Sequence, residues 1–250
     1  MPLDRPCFAL YAYISLKSID ACSSAYQLEK GKRMAARVIT VAQQKGGAGK
    51  TTVTVHLALA LAALGEKTAL IDIDPQGSLS HWFRLRQEAF GSTKTGLHLS
   101  NVHGWRVAGE IDRLSREYAY IVVDSPPHAQ TEAKAAIRAA DIVIIPVQPS
   151  PLDLWATKPT VDIAKDAKIP ALLLLNRLPI KSPLREDAER TLSEMGVQVA
   201  NSRIGNRVGF AVSMNEGRGI GELTPKSAGA REMRNLALEV VDAINRHRPR

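Results

Sequence analysis

The sequence predicts an α/β domain with a mostly parallel sheet and helices on both faces. From Arg37 onward, short apolar runs alternate with stretches of helical periodicity, the pattern of parallel strands joined by crossover helices. No hairpin turn separates the apolar runs, and no long linker divides the chain. With 250 residues, 45% of them hydrophobic, the chain is long enough for one substantial core, so we expect a single domain.

Each element is expected where its periodicity is clearest. Strands are predicted at Val38–Ala42, Thr68–Ile73, Tyr120–Val123, Ile142–Pro146, Ala171–Leu175 and Gln198–Ala200. Helices are predicted over 50–64, 78–90, 106–117, 130–139, 152–167, 184–195 and 228–246. The apolar face of the last helix is more consistent with core packing than with a membrane anchor.

The connection between the first strand and the first helix is rich in glycine. It reads Gln43-Gln44-Lys45-Gly46-Gly47-Ala48-Gly49-Lys50-Thr51-Thr52. Glycines let consecutive backbone N–H groups turn toward one anion, and the following helix N-terminus adds a positive dipole. Lys50 would then reach the β- and γ-phosphates of a nucleotide, and the Thr51 hydroxyl would face its Mg²⁺. The sequence therefore predicts a P-loop NTPase domain whose nucleotide contacts run from Gly46 through Thr52.

This loop departs from the usual pattern G-x-x-x-x-G-K-[ST] at two positions. Gln44 replaces the first glycine, and a second lysine, Lys45, stands inside the loop.

Three carboxylates lie at or just after the ends of predicted strands, where a phosphoryl-transfer site needs them. Asp124 ends an apolar strand and is expected to hold Mg²⁺, usually through water. Asp72 and Asp74 are alternate residues at the end of another strand, so both can point the same way. We assign Asp72 to the magnesium shell and Asp74 to the attacking water. Asp74, which precedes Pro75, could instead cap the next helix.

Asn176 directly follows the apolar run 172–175. Its amide can both donate and accept, so it could read the edge of adenine. A turn formed by Asn176 and Arg177 explains the same pair of residues equally well.

The distribution of charge indicates which part of the chain could contact a polyanion. The net charge is +8, and the segment 176–250 holds a disproportionate part of it, so this segment is the candidate polyanion-facing region. A solvated basic surface is the alternative.

Cys7 and Cys22 are the only cysteines in the sequence. They provide neither a disulfide framework nor a metal-ligand spacing, so we expect a cytoplasmic protein.

Residues 1–33 differ in character from the remainder of the chain. They contain a weak apolar stretch, a serine-rich piece and the basic run Lys30–Arg33, without a convincing signal-peptide cleavage site. We expect this segment to be a poorly ordered extension or a misassigned start, with the domain itself spanning 34–250.

Three segments together resemble the ParA/MinD family of deviant Walker ATPases. Lys45–Thr51 matches the family's K-G-G-x-G-K-[ST], and Asp72–Gly77 matches the D-x-D-P-Q-G of its DNA-partitioning branch. Ile144–Asp153 resembles a stretch of the small plasmid-partition ATPases. The likeness extends over roughly residues 37–245.

The resemblance implies a mechanism. Two ATP-loaded subunits would face each other as a homodimer, with Lys45 crossing to the partner's phosphates and Asp74 orienting the hydrolytic water. Hydrolysis would need Mg²⁺, would be slow in isolation, and would be stimulated by a ParB-like or other small partner protein. The cargo would be a plasmid, a chromosome or a large protein assembly, positioned over the nucleoid.

The resemblance also implies sequence-independent DNA binding by basic residues late in the chain. The candidates are Lys181, Arg185, Arg203, Arg207, Lys226 and Arg231. At one position that is basic in some relatives this chain has Ala228.

Three other classes share part of this pattern. A MinD-like membrane-cycling ATPase needs a C-terminal amphipathic anchor, which the sequence does not show, so no membrane partner is expected. A reductase of the nitrogenase iron-protein type needs cluster-ligating cysteines within the domain, and there are none. A regulator that binds ATP without hydrolysis is disfavoured by the presence of Asp72, Asp74 and Asp124.

Overall fold

A computed structural model describes residues 36–127, 130–179 and 184–247. These ranges contain one seven-stranded sheet in the order β3-β2-β4-β1-β5-β6-β7, and every strand pair is parallel. The strands are β1 (Arg37–Val41), β2 (Thr68–Asp72), β3 (His98–Asn101), β4 (Tyr120–Asp124), β5 (Ile142–Val147), β6 (Ala171–Leu175) and β7 (Gln198–Val199).

Helices connect the strands and cover the sheet. They are α1 (Lys50–Ala63), α2 (Ser78–Phe90), α3 (Val107–Leu114), α4 (Gln130–Arg138), α5 (Pro151–Trp155), α6 (Lys158–Asp166), α7 (Leu184–Ser193), α8 (Val208–Asn215), α9 (Ile220–Leu223) and α10 (Ala228–His247). None of the described helices is long and apolar enough to cross a membrane.

The sheet separates two hydrophobic cores, one on each face. Ile39 and Val41 of β1 belong to the core formed with α1 and α10, whereas Val38 and Ala42 belong to the core on the opposite face. This alternation follows from the two-residue period of a strand. Because both faces are covered, the central strands are apolar on both sides, as the sequence predicted.

The carboxyl ends of the strands form the edge where the polar residues gather. Val41, Asp124 and Asp72 lie at matching register positions on the adjacent strands β1, β4 and β2. The chain leaves β1 toward β2 on one side of the sheet, and β5 and β6 lie on the other side. A crevice for ligands is expected at such a reversal of strand order.

The predicted strands and fold class are confirmed, and three local predictions need correction. β3 was missed because this edge strand mixes polar and apolar residues and is only partly buried. α8 and α9, of eight and four residues, were missed as well. The predicted helix 152–167 is two helices, since the ring of Pro159 conflicts with a helical carbonyl at Trp155 and restarts the helix at Lys158.

Two further predictions fall where the structure gives no description. The extension 1–33 and Lys181 lie outside the described residues, and the predicted domain start at Met34 stays a prediction.

Candidate nucleotide site

The loop between β1 and α1 has the conformation of an anion cradle. Gly47 and Gly49 have φ angles of 77° and 91°, in the left-handed region that residues with a side chain rarely adopt. A Cβ atom placed on Gly46 or Gly47 would meet nothing within 4 Å, so the space beside these glycines is open. The loop residues present therefore fit a phosphate group beside the N-terminus of α1.

Two side chains from neighbouring strand ends hold the loop by its carbonyl groups. Gln148 donates from Nε2 to Gly47 O at 3.0 Å, and Asn176 donates from Nδ2 to Ala48 O at 2.8 Å. A Cβ on Gly49 would lie 2.5 Å from Asn176 Nδ2, so only glycine permits this approach. The side chain of Asn176, predicted to contact a base, therefore also supports the phosphate loop.

Lys50 is buried beneath the cradle. The residue is 7% exposed, and Nζ donates to the carbonyl oxygen of Lys45 at 3.4 Å. Burial lowers the pKa of the Lys50 ammonium, and the carboxylates of Asp124 and Asp74 partly offset this effect. A bound polyphosphate would favour the charged form of this lysine in the same way.

Asp124 and Thr51 lie together next to the cradle. Thr51 donates from Oγ1 to Asp124 Oδ2 at 2.7 Å, and Thr54 donates to Oδ1 at 3.2 Å. Burial raises the pKa of Asp124 to about 7, and its neighbour Asp72 adds to the rise while the Thr51 hydrogen bond opposes it. A cation placed here would favour the ionised form of this carboxyl group.

The described residues contain no group of three or more His, Cys, Asp or Glu side chains that could hold a metal ion. Mg²⁺ commonly binds through one or two protein oxygens together with substrate phosphates. The donor pair Thr51 and Asp124 therefore fits a magnesium ion that arrives with a nucleotide.

Asp72 acts within the protein as a positioning residue. Its Oδ2 accepts hydrogen bonds from the backbone N–H and hydroxyl of Ser80 at 2.9 and 2.7 Å, and its Oδ1 accepts from Asp74 N at 3.1 Å. The carboxylate is fully buried and thus ties the start of α2 to the turn after β2. Its assignment to the magnesium shell stays a prediction.

Asp74 lies in the turn between β2 and α2 and is partly exposed. Its Oδ1 accepts from Gln76 N at 3.0 Å, which closes a local turn. The residue that receives an N–H from the first turn of α2 is Asp72, so the alternative in which Asp74 caps this helix is wrong. The carboxylate of Asp74 lies close enough to Lys50 to raise the pKa of its ammonium group. The role of Asp74 in orienting water stays a prediction.

Lys45, the second lysine of the loop, forms an ion pair within its own subunit. Its Nζ lies 2.8 Å from Asp153 Oδ2, and the side chains of Lys45 and Asp153 are 34% and 7% exposed. The Ser150 hydroxyl donates to the same oxygen, while Asp153 Oδ1 is buried without a partner in the described structure. Sequence reasoning missed Asp153 as a site residue; its only signal was the resemblance of the segment 144–153.

The ion pair lies beside exposed apolar side chains. Leu152 and Trp155, on either side of Asp153 in α5, are 65% and 70% exposed. Large exposed apolar groups next to a paired charge are typical of interaction surfaces.

A second opening adjoins the cradle and has a volume of about 150 Å³. Sites for whole drug-sized ligands measure roughly 300–1,000 Å³. The smaller volume of this cavity would accommodate a single ring system and not a whole nucleotide. Its lining residues are Thr52, Val53, Asn176, Arg177, Ile204, Gly205, Asn206, Arg207, Phe210, Ala211 and Met233. Asn176 Nδ2 donates to Ala48 O, so Oδ1 is the atom of this amide that could accept from the amino group of adenine.

His56 supports one wall of this cavity from below. Its ring packs edge-on against Phe210 with centroids 4.9 Å apart, and its nitrogens meet Thr52 O at 2.8 Å and Ser213 Oγ at 3.1 Å. Burial lowers the pKa of His56 to about 4, so the ring is neutral at physiological pH. The helix after the cradle is thus joined to α8.

The predicted DNA-binding residues differ in their surroundings. Arg203 pairs with Glu189 at 2.6 Å, and Arg207 pairs with Glu232 while lining the base cavity. Lys226 lies just before α10 and Arg231 in its first turn; both are exposed, and neither pairs with a carboxylate within the described ranges. The side chain of Arg185 lies outside the description, as does Lys181.

Arg234, which is not among the predicted DNA-binding residues, is exposed on the same helix as Arg231. The packing of α10 against α1 determines which of the α10 side chains are buried and leaves Arg231 and Arg234 exposed. The described surface thus favours the beginning of α10 over the ion-paired Arg203 and Arg207 as a cationic patch.

Comparison with known proteins agrees with this geometry. Two proteins called maintenance of carboxysome distribution protein A are similar to this chain. The one from Gloeobacter kilaueensis is 39% identical over 168 residues, covering 64% of this chain and 73% of that protein. The one from Halothiobacillus neapolitanus is 29% identical over 212 residues, covering 81% and 95%.

The fold has counterparts among solved structures. The cell division ATPase MinD of Pyrococcus furiosus superposes with a TM-score of 0.70 at 23% identity, covering 83% of this chain and 99% of MinD. Residues 39–220 match the family described as the CobQ/CobB/MinD/ParA nucleotide binding domain. The match extends from β1 to the start of α9 and includes the cradle, the carboxylates and every residue that lines the adjoining cavity except Met233. This protein therefore belongs to the ParA/MinD family of nucleotide-binding proteins.

Proposed function

We propose that this protein is a Mg²⁺-dependent ATP hydrolase that pairs with a second copy of itself when it holds ATP. The pair binds DNA without sequence preference and positions a cargo, with hydrolysis stimulated by a partner protein. Two relatives are named for the maintenance of carboxysome distribution, which supports a positioning role.

The observation that carries the proposal is the different placement of two lysines in one loop. Lys50 is buried beneath the cradle, where it serves the phosphates of its own subunit. Lys45 lies at the rim and is held by Asp153, beside the exposed Leu152 and Trp155. A phosphate-bound loop needs only one such lysine, so the second is available to reach the phosphates of a facing subunit.

The residues of one subunit have separate tasks in hydrolysis. The loop 46–52 and Lys50 would bind the phosphates, and Thr51 and Asp124 would hold Mg²⁺, which would neutralise charge on the phosphate oxygens. Asp74, kept in place by Asp72, orients a water molecule that attacks the γ-phosphorus as the bond to ADP breaks. Lys45 from the facing subunit stabilises the negative charge on the transferred group.

Nucleotide occupancy then controls the DNA-binding surface. Pairing places the exposed Lys226 and Arg231 of two subunits on one assembly, which doubles the number of phosphate contacts. Hydrolysis separates the subunits and halves that number. A ParB-like or other small partner protein on the cargo would accelerate hydrolysis and so release this protein from the nucleoid. The whole cycle would take place in the cytoplasm.

A membrane-cycling role is the alternative. The apolar residues of α10, including Met233, Leu236, Ala237 and Val240, are buried in the core, so this face is occupied while the domain is folded. Flotation with liposomes and ATP tests this alternative directly, and recovery of the protein with lipid would favour it.

Sedimentation velocity tests the proposal itself. The chain should sediment as a monomer with ADP and as a dimer with a slowly hydrolysed ATP analogue. Lys45→Ala should still bind nucleotide but remain monomeric, whereas Lys50→Ala should lose nucleotide binding. A wild-type protein of unchanged mass in both nucleotides, at high concentration, would refute the proposed mechanism.

A further inference from the structure

We propose that a groove between α1 and α10 binds a segment of the partner protein in which an apolar side chain stands close to an acidic one. The inference rests on the proposed function, since it gives the partner that stimulates hydrolysis a docking site and a chemistry.

The groove has a volume of about 300 Å³, compared with about 150 Å³ for the cavity beside the cradle. Its lining consists of residues 56, 59, 60, 63 and 64 in and just after α1, residues 219–222 at the start of α9, and residues 230, 233 and 234 of α10. We call it the α1–α10 groove. A volume at the lower limit of small-molecule sites suits the anchoring side chains of a peptide.

The wall formed by α1 is apolar and incompletely covered. After Lys50 this helix contains no Lys, Arg, Asp or Glu, and a helix without a polar face is normally buried. Leu59, Ala60 and Leu64 are nevertheless only partly buried, and Ala63 is exposed. Residues three and four apart are neighbours on a helix, so these four side chains form one continuous stripe. The described domain leaves this stripe without a full cover.

The two charged residues of the lining differ in their surroundings. Glu222 accepts from both terminal nitrogens of Arg86, at 2.9 and 2.7 Å, and from Gly219 N at 2.8 Å. Arg234 is exposed and forms no hydrogen bond or ion pair with another described residue. The acid of the groove is thus neutralised within the domain, whereas the arginine is available to an anion.

This charge distribution specifies the chemistry of the partner. In a protein, the anion that Arg234 would bind is a carboxylate, because guanidinium and carboxylate groups pair through two parallel hydrogen bonds. The net charge of +8 also favours association with an acidic segment. A helix that lays an apolar side chain in the groove and a carboxylate within one turn of it would satisfy both the α1 stripe and Arg234.

The groove adjoins the nucleotide site, which gives a docked segment a route to hydrolysis. Met233 lines both the groove and the cavity beside the cradle. His56 lines the groove, while its ring packs against Phe210 of that cavity and its Nδ1 meets Thr52 O. An anchor that displaces Met233 or His56 would therefore change the shape of the nucleotide site.

Selection from a phage-displayed library of random peptides of about twelve residues tests this chemistry without knowledge of the partner. The nucleotide-free full-length chain is the target, and Ala63→Trp, which fills the groove from an exposed position, serves for counter-selection. The selected peptides should carry an apolar residue within about four positions of Asp or Glu more often than the unselected library does.

Fluorescence anisotropy with one selected peptide then measures the contribution of Arg234. Arg234→Gln should weaken binding by about tenfold, the loss expected for an exposed charge-assisted hydrogen bond. Arg138→Gln is the matched control and should bind as the wild type does. Arg138 is also exposed without a described partner, but it lies on α4 and thus on the opposite face of the sheet.

Three results would overturn the inference: no peptide that distinguishes the wild type from Ala63→Trp, selected peptides without acidic residues, or equal binding by Arg234→Gln. With a slowly hydrolysed ATP analogue, Ala63→Trp should still sediment as a dimer. A monomer that binds nucleotide normally would instead assign the groove to a second copy of this chain and would also overturn the inference. If the wild type binds the peptides but neither dimerises nor hydrolyses ATP, the docking site stands and the proposed function is wrong.

Discussion

Replacing Asp153 by asparagine should make the protein dimerise more readily with ATP. The substitution keeps the shape of the side chain and its acceptor for Ser150, but removes the charge that holds Lys45 within its own subunit. If Lys45 must leave Asp153 before it reaches a second subunit, a weaker hold shifts the equilibrium toward the dimer.

The magnitude follows from the geometry of the pair. Hydrogen bonds between charged groups contribute about 1.5–3 kcal/mol. The Lys45 side chain is 34% exposed, so solvent screening places the pair at the lower end of that range. Two such pairs break for each dimer, which gives about 3 kcal/mol and a dimer dissociation constant lower by about a hundredfold.

Burial adds to the effect. Once Lys45 has left, wild-type Asp153 would be a buried carboxylate with one oxygen already lacking a partner. Burying an unpaired charge is costly, and a neutral amide avoids most of that cost.

Sedimentation over a concentration series, with a slowly hydrolysed ATP analogue, measures the shift. Asp162→Asn is the matched control, since it removes the carboxylate of an exposed pair with Lys158 on the next helix and should leave dimerisation unchanged. A dissociation constant for Asp153→Asn equal to or higher than that of the wild type would show that the ion pair does not restrain Lys45.

Three other predictions test separate parts of the site. Asp74→Ala should retain ATP-dependent DNA binding in a co-sedimentation assay while phosphate release stops; hydrolysis at the wild-type rate would disprove its role with water. The pKa of His56 is about 4 in the folded state and 6.5 in the unfolded state, so protonation favours unfolding. The stability that neutral His56 gives to the fold is therefore fully present above pH 6.5 and is lost as the pH falls toward 4. Relative to His56→Gln, the wild type should lose about 3 kcal/mol in unfolding free energy by pH 4, measured by urea titration. Replacing Lys226 and Arg231 by glutamine should weaken DNA binding equally for all sequences and make the logarithmic salt slope shallower by about 2 per subunit, with the ion-paired Arg203 replaced as a control.

The sequence predicted those parts of the protein that depend on local pattern. Buried strands read as apolar runs, and the glycine loop identified the cradle because few other sequences satisfy its backbone requirements. β3 was not predictable in this way, since its pairing with β2 rather than its own composition makes it a strand.

Contacts between distant residues account for what the sequence did not show. Lys45 and Asp153 are far apart along the chain, and only the adjacency of β1 and β5 brings them together. Asp72 was assigned from its position at a strand end, whereas its hydrogen bonds to Ser80 depend on how α2 folds back over that end. The different surroundings of Arg207 and Arg231 likewise depend on tertiary structure, because charge alone does not indicate which arginine an acid neutralises.

Under the proposed function, helix α10 contributes to two sites through residues only two positions apart. Met233 faces inward and forms part of the base cavity, while Arg231 points to solvent. An α-helix of twenty residues is rigid over this distance. If a purine entering the cavity displaced Met233, Arg231 would move with it, without a hinge or a chain of side-chain contacts. The nucleotide and the DNA would then contact opposite sides of the same rigid helix.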